Sequence, residues 1–185
     1  MSLSTSDRDA LLAVARRVVV GTVTGQARDD ASEPSARAVS SPGAAFVTLF
    51  VAGKLRGCIG TSEQSRPLDR VVADMARAAA TRDWRFPALS RADLDHLTIE
   101  ISVLSPERRI HGPGEIEIGR DGLDVRRGRA RGLLLPQVAV DHGFDGERFL
   151  AETCRKADLP ADAWRDPDTD VRAFEAEVFG SRSEP

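Results

Sequence analysis

The 185-residue chain has no tyrosine, two cysteines, two tryptophans and only two lysines, Lys54 and Lys156. Each scarcity excludes something. Cys58 and Cys154 alone cannot form the disulfide framework that staples small secreted domains. No apolar run approaches the ~20 residues of a membrane-spanning helix, so no membrane partner is expected. Residues 1–10 lack a charged stretch followed by an apolar one, so no secretory signal is expected and a reducing, cytoplasmic compartment follows. The histidines are His96, His111 and His142. None stands in an H-x-x-x-H or H-E-x-x-H pair, and there is no C-x-x-C, so no metal site and no cofactor are expected. A phosphate loop and a G-x-S-x-G nucleophile elbow are also missing. With Lys+Arg at 26 and Asp+Glu at 29, net charge is −3 and pI about 5.7. The basic excess that drives phosphate binding is therefore absent, and nucleic acid is disfavoured as a partner.

What is present is an ordinary globular balance, 41% hydrophobic and 30% charged. A chain of this length forms one domain or two small lobes and buries roughly 70% of its unfolded surface. The near-total use of arginine over lysine reads as genomic composition and carries no functional weight.

Ser6-x-x-Asp9 reads as a helix start, followed by Leu11, Leu12, Ala15, Val18 and Val19 at helical spacing, with Gly21 and Gly25 as the stop. Residues 26–43, rich in serine and holding Pro34 and Pro42, read as a mobile loop. Residues 45–51 and 55–59 form a strand pair turned at Gly53. Pro67 opens a helix carrying Leu68, Val71, Val72, Met75 and Ala79 on one face. Ser90-x-x-Asp93 starts a short helix. Leu97, Ile99, Ile101 and Val103 alternate with Thr98, Glu100 and Ser102, a half-buried strand. Short strands follow at 109–110, 115–118, 123–126 and 131–135, with Asp121-Gly122 and Gly128 as turns. Helices at 136–142 and 145–156 and a strand at 171–179 close the chain. The elements show no βαβ rhythm, which favours α+β with antiparallel sheet.

The sharpest chemical feature is Leu55-Arg56-Gly57-Cys58-Ile59-Gly60-Thr61. Glycines beside a cysteine let backbone come close to the thiol. Arg56 beside the sulfur would lower its pKa, and backbone N–H groups near Gly57 and Gly60 would form an anion nest. The plainer alternative is a buried strand cysteine whose glycines serve packing. Residues 120–131 hold five arginines and two aspartates, which suits either phosphate contact or a solvated hairpin tip. Asp83-Trp84-Arg85-Phe86-Pro87 is an aromatic–arginine cluster that serves packing or binds a carboxylate.

The order of several blocks carries a resemblance. Phe46-Val47-Thr48-Leu49 precedes Leu55–Gly60. Arg85-Phe86-Pro87, Ile99–Pro106, Gly119–Leu123, Gly132–Ala139, Cys154–Ala157 and Trp164 follow. Over about residues 6–180 the chain resembles the AMMECR domain family, departing at Trp84, where proline is usual, and at Phe144, where tryptophan is usual. The resemblance implies a single two-lobed α+β domain spanning 1–185, with antiparallel sheets flanked by helices and a cleft between the lobes near the signature. The larger lobe would use both chain ends. It implies no settled activity. It does imply an association with a dioxygenase-like protein and a radical-SAM enzyme, as partners or in a shared pathway. Two readings follow. In the first, a small anionic ligand enters the cleft. Arg56 orients it, Cys58 acts as nucleophile or contact group, Gly57 and Gly60 permit close approach, Ile59 is a further binding residue, and Arg85 and Gln137 line the cleft. In the second, the chain is a non-catalytic accessory module for such partners.

Overall fold

The computed structural model describes residues 3–26 and 39–180. Most of the loop expected at 26–43, residues 27–38, lies outside them. The chain divides into two compact units, one running to Leu104 and resuming at Glu177, the other spanning Ser105–Ala176.

In the first unit, α1 (Thr5–Thr24) and α2 (Leu68–Thr81) pack on a sheet of β1 (Ala44–Val51), β2 (Lys54–Thr61) and β3 (Leu97–Leu104). α1 begins two residues before the expected start. Ser4 caps it, its Oγ accepting from the Asp7 N–H while Asp7 reaches back to the Ser4 N–H. The same Ser-x-x-Asp spacing occurs at 4–7 and 6–9, and the earlier pair sets the register. Gly21 lies inside the helix, which ends at Gly25. The buried faces of α1 (Leu11, Ala15, Val18, Val19) and α2 (Val71, Val72, Ala76, Ala79) close over Val47, Leu49, Ile99 and Ile101. Ser90 and Asp93 form the expected capping box, but the helix that follows is a 3₁₀ segment, Arg91–His96.

β2, β1 and β3 are antiparallel neighbours in that order, with the end of β7 (Asp170–Gly180) beside β3, so β2 is an edge strand. Register sorts the side chains. Leu49 stands opposite Gly57 and Ile99 on the helix-covered face, while Thr48 stands opposite Cys58 and Glu100 on the other. Ala52 and Gly53, at φ 49° and 74°, form the two-residue turn between β1 and β2.

In the second unit, β5 (Asp121–Arg127) pairs with β6 (Ala130–Leu134) and with β7, which also takes β4 (Arg108–Arg109). α3 (Pro136–Asp141) and α4 (Gly146–Lys156) cover one face, where Phe149, Leu150 and Cys154 bury against Leu123, Val125 and Val171. Asp121 and Gly122 are not a turn. They open β5, where the Asp121 carboxylate is buried and accepts from Arg108 and from the Glu117 N–H. The expected strand at 115–118 is instead a 3₁₀ turn, Pro113–Glu115, and the bend that leads to that carboxylate. The expected turn at Gly128 does join β5 to β6. The arginines at 126–131 are largely spent on acids. Arg126 and Arg131 both donate to the buried Asp124, and Arg127 pairs with Asp166.

Candidate functional site

Cys58 lies at the centre of edge strand β2, and two residues from the turn after α2 hold its backbone. The Asp83 carboxylate accepts the Cys58 N–H at 2.8 Å. The Arg85 guanidinium donates to the Cys58 carbonyl at 3.2 Å. The same guanidinium grips Asp83 through two bonds, Nε to Oδ1 at 2.9 Å and Nη2 to Oδ2 at 2.7 Å. A forked donor matches a carboxylate in this way, and at Cys58 the edge strand's outward N–H and C=O are satisfied without another strand. Asp83 is buried while the Arg85 side chain remains 44% exposed. Among the described residues Arg85 Nη1 has no hydrogen-bond partner. The paired guanidinium holds the Asp83 carboxyl well below the usual carboxylate range, against the opposing effect of burial.

A polar row runs inward from this clamp on the sheet face away from the helices. Thr48 Oγ1 donates to Cys58 Sγ at 3.3 Å, and Glu100, on β3 opposite Thr48, is buried. The alternation of Thr98, Glu100 and Ser102 reads as a solvent face, yet Glu100 and Ser102 are both buried. Burial pushes the Cys58 thiol above its ordinary value. The Thr48 hydrogen bond and the Arg85 charge pull it down, the Asp83 and Glu100 charges push it up, and burial prevails.

Three expectations for the signature are corrected. Arg56 does not activate the thiol. It pairs with Asp93 at 3.4 Å, the carboxylate that also caps the 3₁₀ segment. Gly57 is not open to a ligand, because it faces α2. A methyl there would overlap the Ala79 carbonyl oxygen and sit 3.0 Å from the carbonyl carbon. Gly60 lies against Phe46, where a methyl would come within 2.7 Å of Cα and overlap the ring. Both glycines thus serve close packing, the plainer of the two alternatives. Ile59 faces the helices and packs against the first unit's core. Arg85 does join Cys58. Gln137 is the second residue of α3, in the second unit.

Sequence reasoning missed Asp83, Thr48 and Glu100. Register alone sets Thr48 against Cys58 and Glu100 one strand beyond it. The usable signal for Asp83 was an acid two residues before Arg85, in a segment already singled out. Among the described residues no group of three or more His, Cys, Asp or Glu is placed to hold a metal ion. No described helix is long and apolar enough to cross a membrane.

The AMMECR1 family profile matches residues 12–179. A protein of Methanothermobacter thermautotrophicus is 49% identical over 140 residues, 72% of this chain and 73% of that protein. Protein MK0488 of Methanopyrus kandleri is 39% identical over 186 residues, 96% of this chain and 89% of its own. The crystal structure of the uncharacterized protein PH0010 from Pyrococcus horikoshii superposes with a TM-score of 0.85 at 39% identity, over 92% of this chain and 89% of that one. Profile, relatives and fold agree, and the signature around Cys58 and the packing that explains its glycines lie inside the matched span: the chain belongs to the AMMECR1 family.

Proposed function

We propose that the face bearing Cys58 binds a small anionic ligand, with Arg85 as the cationic contact and Cys58 and Thr48 as polar contacts beside it. One observation carries the reading: a buried carboxylate, Asp83, fixes a half-exposed guanidinium against the Cys58 carbonyl. A preorganised guanidinium loses little freedom on binding, and Arg85 keeps donors directed away from its internal partner. The adjacent carboxylate cancels much of its charge, so a simple anion binds weakly and a tight ligand needs the neighbouring hydroxyl and thiol as well. Cys58 acts as a contact group, because a thiol pushed upward by burial is a poor nucleophile at neutral pH.

The test is titration with sulfate, phosphate and short carboxylates, followed by amide chemical shifts of residues 55–61 and 83–86. The expected result is saturable binding that weakens about tenfold, or ~1.4 kcal/mol, in Arg85→Gln and less in Cys58→Ala. Equal binding by wild type and Arg85→Gln, or shifts confined to other regions, overturns the proposal. The accessory-module reading draws on a different feature, the exposed Trp84 beside this clamp.

A further inference from the structure

We infer that the turn joining α2 to the Arg91–His96 segment is a docking surface for an acidic segment of a partner protein, with Trp84 as its anchor. Trp84 is 91% exposed. Tryptophan carries a large apolar surface whose burial favours association, and tryptophan and arginine are among the residues that dominate protein–protein interface energetics. Trp84 stands between Arg82 and Arg85, and all three are exposed. Arg91, also exposed, follows in the same stretch. Asp83 is the sole acid between residues 81 and 92, and it is buried under Arg85. The solvent side of this stretch therefore presents arginine charge with no exposed carboxylate of its own, around an unburied indole.

The surface is held ready for contact. The Arg82 N–H donates to the Ala78 carbonyl at 2.7 Å, the Phe86 N–H to Asp83 at 3.1 Å and the Leu89 N–H to Ala80 at 2.8 Å. The Arg85 guanidinium lies over the Phe86 ring, 5.3 Å from its centre, and Leu89 is buried in the first unit's core. A partner meeting a turn held this firmly pays little ordering cost on this side of the interface. Charge complementarity selects the occupant, a carboxylate-rich protein segment with an apolar side chain to cover Trp84. Single-stranded nucleic acid would need a row of stacking aromatics and a basic excess. The chain has one exposed tryptophan here and a net charge of −3.

The test uses the full chain and fluorescein-labelled peptides of about 12 residues, each carrying Glu or Asp around one Phe or Leu. Lysine-substituted counterparts and a thymidine oligonucleotide of equal length are the comparators, and anisotropy is the readout. The expected result is micromolar binding of acidic peptides that weakens at least about tenfold in Trp84→Ala and in Arg82→Glu, and that declines as salt is raised. Both side chains are solvent-exposed, so unchanged melting curves show that folding is intact. No acidic peptide binding below about 1 mM, equal binding by Trp84→Ala, equal binding of the lysine peptides, or binding of the oligonucleotide alone each overturns the proposal.

Discussion

Substitution of Gly57 by alanine separates a packing role for the signature from a ligand-access role. The added methyl points at the C-terminal end of α2, overlapping the Ala79 carbonyl oxygen and lying 3.0 Å from the carbonyl carbon. A backbone carbonyl cannot rotate away as a side chain can, so strand and helix must separate by roughly an ångström. Overpacking of this kind costs about 1–3 kcal/mol, and a clash with main chain belongs at the upper end. Removing a glycine returns about 0.4–1 kcal/mol by restricting the unfolded chain. The net loss is about 2 kcal/mol, which for a chain of this size lowers Tm by about 4–8 °C. Gly114→Ala is the matched control, since nothing lies within 4 Å of a methyl there, and with the entropic gain unopposed its Tm should rise by about 1–4 °C. Differential scanning calorimetry and far-UV circular dichroism supply the measurement. Displacing the end of α2 also displaces Asp83, four residues on, so Cys58 should alkylate faster in the same variant. A Gly57→Ala protein that melts with wild type would show that α2 does not lie on β2 there, and the packing argument would fail.

Other predictions follow from the same structure. Asp83→Asn should cost about 3 kcal/mol, because it breaks a buried ion pair and weakens the acceptor for the Cys58 N–H; the half-exposed arginine left behind is solvated, which keeps the loss at the low end of the usual range, and urea denaturation measures it. The depressed Asp83 carboxyl stabilises the folded chain above the unfolded carboxylate value of about 3.9, and that contribution fades as pH falls below it; Asp83→Asn should therefore flatten the stability–pH curve below about pH 4 and leave its shape near pH 7 unchanged. Iodoacetamide should modify Cys58 in the folded protein at least about tenfold more slowly than free cysteine at pH 8, with Cys154→Ser present to assign the signal, and a thiolate forming below about pH 8.5 would contradict the burial argument. Ala52→Asn should raise Tm by about 2–4 °C, since the left-handed conformation at φ 49° suits asparagine better than alanine, and an unchanged or lower Tm would contradict the turn assignment.

Local rules made much of this molecule legible before any coordinates. Periodicity located α1, α2 and β3, β-branched and aromatic content located β1, and the cysteine flanked by glycines marked the segment on which the candidate site is built. Local rules also misled where two signals of equal local strength competed. Ser4-x-x-Asp7 and Ser6-x-x-Asp9 offer the same cap, and Asp-Gly is a strong turn signal at 121–122. The buried ion pair that draws Asp121 into β5 comes from Arg108, thirteen residues away, where no turn propensity can register it.

By itself, then, the sequence determined that an antiparallel α+β chain forms, and which strand carries Cys58, because alternation and helical spacing are written residue by residue. Tertiary structure alone decided what surrounds that cysteine. Strand register brought Thr48 to the thiol and aligned Glu100 in the same row. The close approach of α2 to β2 claimed Gly57, and the turn after α2 delivered Asp83 and Arg85 to the outer edge of the strand. The charge beside Cys58 comes from Arg85, 27 residues along the chain, and not from its near neighbour Arg56, which is drawn to Asp93. Alternate residues of a strand share a face but are offset along it, and a carboxylate within reach captures a guanidinium whatever lies next to it in sequence.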